Sequence, residues 1–174
     1  MNNMKTIKHT STFFIIASGI ALFLFLLDST GILIPRFGRA TALLLLPLLT
    51  AIAMAAREWI GLLFGMGFGL LLDTVGSEAL CFNTIMLFII GCLCGLLCSY
   101  FVNDNIFAAI VLSFFSNLFY FVVRWLIFYV AAGRPQVFDY LWRYCIPTII
   151  YNTIFIIPFY YLIKYISKKT SYYD

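Results

Sequence analysis

The segment Glu58 to Asp73, EWIGLLFGMGFGLLLD, limits the fold more than any other part of this chain. It sets Gly61, Gly65 and Gly69 four residues apart in an apolar stretch that stops at a carboxylate. On a helix, glycines at that interval form a stripe along which a second helix can approach backbone to backbone. Helices in lipid associate in this way, because apolar burial no longer drives them together. The composition makes the surroundings lipid. Hydrophobic residues are 64% of the chain, charged residues 10%, and the mean hydropathy is +1.03, whereas a soluble domain carries roughly 25% charged residues. The chain therefore reads as an all-α, polytopic integral membrane bundle. It forms a single transmembrane domain over residues 1–174, with little length left for soluble structure.

Six apolar runs follow one another, at 12–27, 40–56, 59–72, 81–102, 106–132 and 144–163. No small-residue cleavage site follows Leu27, so the first run is expected to remain as a span rather than to be removed as a signal. A single helix over 40–72 would be about 50 Å long, too long for one crossing of a core about 30 Å thick. Two short spans meeting at Arg57 and Glu58 fit better. Five spans remain the rival count if the second or third run only dips into the membrane. Pro47 and Pro158 mark places where helices can kink. Trp59, Trp125 and Trp142 fall near span ends, where amphipathic rings prefer the interface.

With six spans both termini share a side, and that side collects Lys5, Lys8, Arg57, Lys164, Lys168 and Lys169. The opposite side has Arg36, Arg39, Arg134 and Arg143, leaving Arg124 within the fifth span. The excess of basic residues places both termini in the cytoplasm. The outer loops, 28–39, 73–80 and 133–143, are short.

Two patterns within the spans stand out. The fourth run repeats the glycine device with Gly91 and Gly95, followed by Ser99. An antiparallel hairpin turned at 74–80 would bring the third and fourth spans into close contact. Gly65 and Gly91 are expected at one depth, and Gly61 and Gly95 at another. The plain reading of these glycines is helix packing; the sharper one is a docking face for another membrane protein.

The second pattern is polar. Ser113, Asn117, Tyr120 and Arg124 lie on one face of the fifth span. A weaker stripe, Thr148 and Asn152, lies on the sixth. An arginine inside a span costs at least a few kcal/mol at the bilayer centre, so it turns inward or snorkels to an end. Asp73 closes its helix on the same side as Arg124, which suggests an Asp73–Arg124 ion pair. The competing reading has Arg124 snorkelling and Asp73 capping or pairing locally. Glu58, beside Arg57, reads as part of a solvated turn or as a partner contact.

Chemistry finds little foothold. The one histidine, His9, lies in the N-terminal tail, so zinc hydrolysis and a histidine-activated nucleophile lack their parts. The glycine-rich segment is apolar and has no Lys-Ser/Thr to follow it, so it is no phosphate cradle. The cysteines Cys81, Cys92, Cys94, Cys98 and Cys145 come without histidine, and Cys92 and Cys94 sit about 200° apart around a helix. They read as apolar thiols. No enzyme activity, no metal and no cofactor is expected, and nothing implies a nucleic-acid partner.

The segment Arg57 to Tyr100, REWIGLLFGMGFGLLLDTVGSEALCFNTIMLFIIGCLCGLLCSY, resembles the rod shape-determining protein MreD of bacteria. The shared pattern is E-x-x-G-x-x-x-G-x-x-x-G-x-x-x-D, a polar turn and a second glycine-bearing span. Outside that segment only length, span count and hydropathy agree. One departure is the turn TVGSEAL, where Gly76 stands in place of a glycine expected slightly later. The resemblance implies a non-enzymatic scaffold of the elongation machinery in the bacterial cytoplasmic membrane, supporting lateral cell-wall synthesis. It also implies membrane lipid as the surroundings. The implied partners are a bitopic MreC-like protein, together with actin-like MreB and the wall synthases, directly or indirectly.

A second reading is a substrate-binding membrane subunit of an energy-coupling factor transporter. Ala17 and Ala21 would then form the small-residue contact with a transmembrane partner, although the short outer loops give little room for a ligand pocket. A small channel or exporter using Arg124 and Asn117 is a third.

Overall fold

The computed structural model describes residues 2–30, 43–55, 58–75, 81–100, 105–133 and 137–170, and the side chains of all of these except 2–12, 28–30, 58, 137–138 and 169–170. The expected contacts of Arg36, Arg39, Arg57, Arg134 and the Glu58 side chain lie outside the described residues. So do residues 31–39, 76–80 and 134–136 of the outer loops, including Gly76.

Helices occupy every apolar run, and no strand occurs among the described residues. The order is α1 (Asn2–Thr30), α2 (Leu45–Ala55), α3 (Glu58–Val75), α4 (Phe82–Tyr100), α5 (Ile106–Trp125), α6 (Val137–Tyr140) and α7 (Ile146–Thr170). α5 continues through a π-helical turn at Leu126–Val130, and a second such turn at Leu141–Cys145 joins α6 to α7. Phe82–Tyr100, Ile106–Val130 and Leu141–Lys168 are long and apolar enough to cross a membrane. Phe13–Leu27, Leu45–Ala55 and Trp59–Val75 are shorter apolar helices.

α2 differs most from its reading in sequence. Its run was placed at 40–56, but the helix covers Leu45–Ala55, about 16 Å of rise, roughly half the apolar core of a bilayer. Each residue from Leu45 to Met54 is buried. A helix that is apolar all round belongs inside protein, and α2 is enclosed by α1, α3, α4, α5 and α7. Pro47 lies in its first turn, where a backbone N–H has no partner inside the helix, so the ring costs no hydrogen bond and gives no kink. Thr50 returns its hydroxyl to the Pro47 carbonyl at 2.8 Å. Pro158 does fall inside a helix, α7.

α2 and α7 run parallel and in register. Leu43 N–H, just ahead of α2, donates to Asn152 Oδ1 at 3.2 Å. At the other end Ala55 and Lys164 line one cleft. The far end of α5 closes with Gly133 at φ +59°, a left-handed turn that suits glycine. Tyr129, before it, and Tyr140 and Tyr144, after it, stack with ring centroids 3.8 and 4.8 Å apart, tying the two π-helical turns together.

Ala17 and Ala21, the small pair proposed to meet a transporter partner, are both buried. α1 directs them into the bundle, where it meets α2, α3 and α7. Its exposed side is bulky: Ile15, Ile16, Leu22, Phe23 and Leu26. That placement removes the sequence feature that favoured the transporter reading.

Candidate functional site

The most closely joined pair of helices is α3 with α4, and glycine makes the approach possible. A Cβ placed on Gly61 would come within 2.8 Å of the Gly91 carbonyl oxygen. One on Gly65 would fall on the Leu87 carbonyl, and one on Gly69 would fall on the Thr84 backbone. Gly61 also meets Ala53 of α2, whose Cβ would lie 3.0 Å from the added carbon. These glycines face other backbone within the same chain. Gly67, on the opposite side of α3, has open space around it.

The hairpin register differs from the expected one by a turn. A Cβ on Gly91 would fall on the Gly61 carbonyl and lie 3.5 Å from the Gly65 Cα, while Gly65 itself faces Leu87. Gly95 is buried in α4, one turn past Gly91. The reason lies at Asp73. α3 runs one turn beyond the Gly69–Thr84 contact, which brings the Asp73 carboxylate over the start of α4. There Asn83 N–H donates to Oδ1 at 3.1 Å and Thr84 N–H to Oδ2 at 2.9 Å, with the Thr84 hydroxyl donating to Oδ2 at 2.5 Å. The first N–H groups of a helix have no partner inside it and sit at the positive end of its dipole, so a carboxylate from a neighbouring helix satisfies both needs.

Asp73 therefore pairs locally, as the competing reading had it, and forms no ion pair with Arg124. The two charges are linked at one remove. Tyr120 donates its hydroxyl to Asn83 Oδ1 at 2.5 Å, and Arg124 Nη1 donates to the Tyr120 oxygen at 3.3 Å. Tyr120 is wholly buried and Arg124 half-buried. A relay of Asp73, Asn83, Tyr120 and Arg124 thus joins the end of α3 to α4 and then to α5.

A second polar seam lies deeper. Ser113 and Asn117 of α5 and Asn152 of α7 have no exposed surface. Asn152 Nδ2 donates to Asn117 Oδ1 at 3.0 Å, while Asn117 Nδ2 donates to the Ser113 carbonyl at 2.8 Å. Asn152 Oδ1 in turn accepts from Leu43 N–H. Three segments meet on two amides. Cys94 Sγ and Ser116 Oγ, 3.2 Å apart, add a contact between α4 and α5. Among the described residues no buried side-chain nitrogen or oxygen lacks a partner, so this arrangement holds helices together rather than presenting an open polar surface.

The sequence had marked Asn117, Tyr120 and Arg124 as one stripe and Asn152 as part of another, and the fold brings both together. Asn83 and Thr84 were missed. Their signal was an amide and a hydroxyl residue just before an apolar run, the usual composition of a helix start.

A family model described as rod shape-determining protein MreD matches residues 8–170. The chain belongs to that MreD family. The match takes in the glycine hairpin, both polar seams and nearly all of α7, well beyond the segment 57–100 that carried the resemblance in sequence. As a member of the MreD family, the chain is a bacterial membrane protein with a role in rod shape determination. The family acts within the shape-determining complex and consists of structural membrane proteins rather than known enzymes. No curated protein and no solved structure gives a significant match.

Proposed function

We propose that this MreD-family chain is a non-enzymatic scaffold that supports lateral wall synthesis by holding partner proteins of the elongation machinery in the cytoplasmic membrane. The partners are a bitopic MreC-like protein and, directly or through it, actin-like MreB and the wall synthases. The six apolar helices form one membrane domain with α2 enclosed inside it, and both termini lie in the cytoplasm. The family match over 8–170 carries this reading. The architecture is compatible with it, since the polar side chains serve internal contacts and the outward faces are apolar. On this view Gly61, Gly65, Gly69, Gly91 and Gly95 make a stiff α3–α4 plate, and a partner meets the bulky outer side of that plate and the loops at its ends.

The test is depletion in a rod-shaped host, with cell width read by microscopy and rescue by plasmid-borne variants. Swelling or rounding on depletion, reversed by the wild-type chain and accompanied by loss of the MreC-like partner on co-purification, supports the scaffold. Normal width after depletion would overturn it.

A further inference from the structure

The two sides of the bundle end at different depths. Where α3 turns into α4, Asp73 accepts from Asn83, and Asn83 accepts from the Tyr120 hydroxyl, so the hairpin's carboxylate is level with Tyr120 on α5. α5 runs on past that level through Leu126–Val130, with Leu126, Ile127 and Val130 exposed. α7 keeps pace with it. Asn117 meets Asn152 and Tyr129 meets Tyr140, the same distance along each helix, a register that sets Trp142 level with Ile127. Trp142 and its neighbour Arg143 are exposed, and residues of these types anchor helices at the membrane surface. Ile127 lies nearly two turns beyond Tyr120, about 10 Å along α5.

A flat bilayer surface does not suit both sides. Drawn through Trp142, it puts the Asp73 carboxylate and the exposed Thr74 into hydrocarbon, where an ionised group is costly. Drawn through Asp73, it leaves Leu126, Ile127 and Val130 in water. The apolar part of α3, from Trp59 to Leu72, rises only about 20 Å against a core about 30 Å thick. Bilayers meet such a mismatch at modest cost by thinning locally.

We propose that the bilayer steps down around the hairpin. Lipid headgroups and water reach Asp73 on the α3–α4 side, while the same surface stays at the level of Trp142 around α5 and α7. The step belongs to the chain alone and holds whichever protein later covers the hairpin.

The experiment reads depth on both sides by tryptophan fluorescence. The full chain carries Trp59→Phe, Trp125→Phe and Trp142→Phe, which remove its native tryptophans. A single tryptophan is then introduced by Val75→Trp on α3 or Val122→Trp on α5. Both positions are exposed, and each lies just past the Asp73–Tyr120 level on a helix running toward this end. The purified chain is reconstituted in dioleoyl phosphatidylcholine, and quenching by phosphatidylcholine brominated at the middle of its acyl chains is measured. Quenching is expected to be about threefold stronger for Val122→Trp than for Val75→Trp. Thr74→Trp, at the neighbouring exposed position, should match Val75→Trp. In a thinner bilayer of dimyristoleoyl phosphatidylcholine the difference should shrink, because the whole surface then lies near Asp73. Strong quenching on both sides would mean a full-thickness bilayer over the hairpin, and weak quenching on both would mean that the end of α5 projects into water; either result overturns the step. So does a difference that stays the same in the thinner bilayer, which would trace it to shielding by protein.

Discussion

The α3–α4 hairpin and the α5–α7 seam solve one problem in opposite ways. In lipid, two apolar helices gain little by hiding from their surroundings, so something else must select the partner. The hairpin uses shape: Gly61, Gly65 and Gly91 remove side chains until backbones touch. The seam uses hydrogen bonds, placing Asn117 against Asn152 where no water competes. A contact defined by shape fails abruptly when an atom is added. One defined by hydrogen bonds weakens by a bounded amount, because an amide in a membrane finds substitutes, and measured values average about 0.6 kcal/mol with a maximum near 1.7.

The comparison can be broken first at the glycines. Gly65→Leu and Gly69→Leu should cause the largest loss, because the new side chain meets the backbone of α4 and the helices must separate. We expect no rescue of rod shape and little folded protein in the membrane. Gly67→Leu, facing open space, is expected to accumulate normally. If Gly67→Leu and Gly65→Leu lower the protein level equally, steric fit within the hairpin is not what matters.

A smaller effect is expected in the seam. Asn117→Leu and Asn152→Leu should each lower the unfolding free energy by about 1 kcal/mol in a detergent titration. The double variant should show coupling of about 0.6–1.7 kcal/mol. Strictly additive losses would mean that the two amides do not hold each other.

Asp73 sits between the two modes, a charge used to fix a register. Asp73→Ala should cost about 0.5–2 kcal/mol, the range for loss of a helix-start acceptor, and Asp73→Asn less, since one oxygen remains. The charge reversal Asp73→Arg with Arg124→Asp should restore nothing in protein level. Restoration would revive the direct ion pair. At the low end His9→Ala is expected to leave cell width unchanged, and a loss of shape there would reopen a chemical role for the tail.

Much of this was legible in the residues. Hydropathy located all six apolar runs, and the four-residue spacing of Gly61, Gly65 and Gly69 identified which helices come closest. The register was not legible. A loop of given length can close at several offsets, and the choice rested on the Asp73 carboxylate reaching Asn83 and Thr84, which only three-dimensional placement reveals. The enclosure of α2 was hidden for another reason: in a membrane protein a helix facing lipid and a helix facing protein are both apolar, so hydropathy does not separate them. Asn117 and Asn152 were each visible as polar positions on their own helices, but their meeting depends on α5 lying beside α7, a pairing no local pattern encodes.

The enclosure of α2 also bears on how the chain is made. At roughly half the thickness of the hydrocarbon core, α2 is a poor candidate for stable insertion alone, and one wall of its final enclosure is α7, which is synthesised after the other described helices. While translation continues, the side of α2 that later meets α7 has no native cover. The amino-terminal half must therefore wait, incompletely assembled, for the carboxyl-terminal helix to arrive. A ribosome that stops before α7 leaves a product in which that side of α2 is open to lipid, so the bundle closes around its short central helix only when α7 arrives.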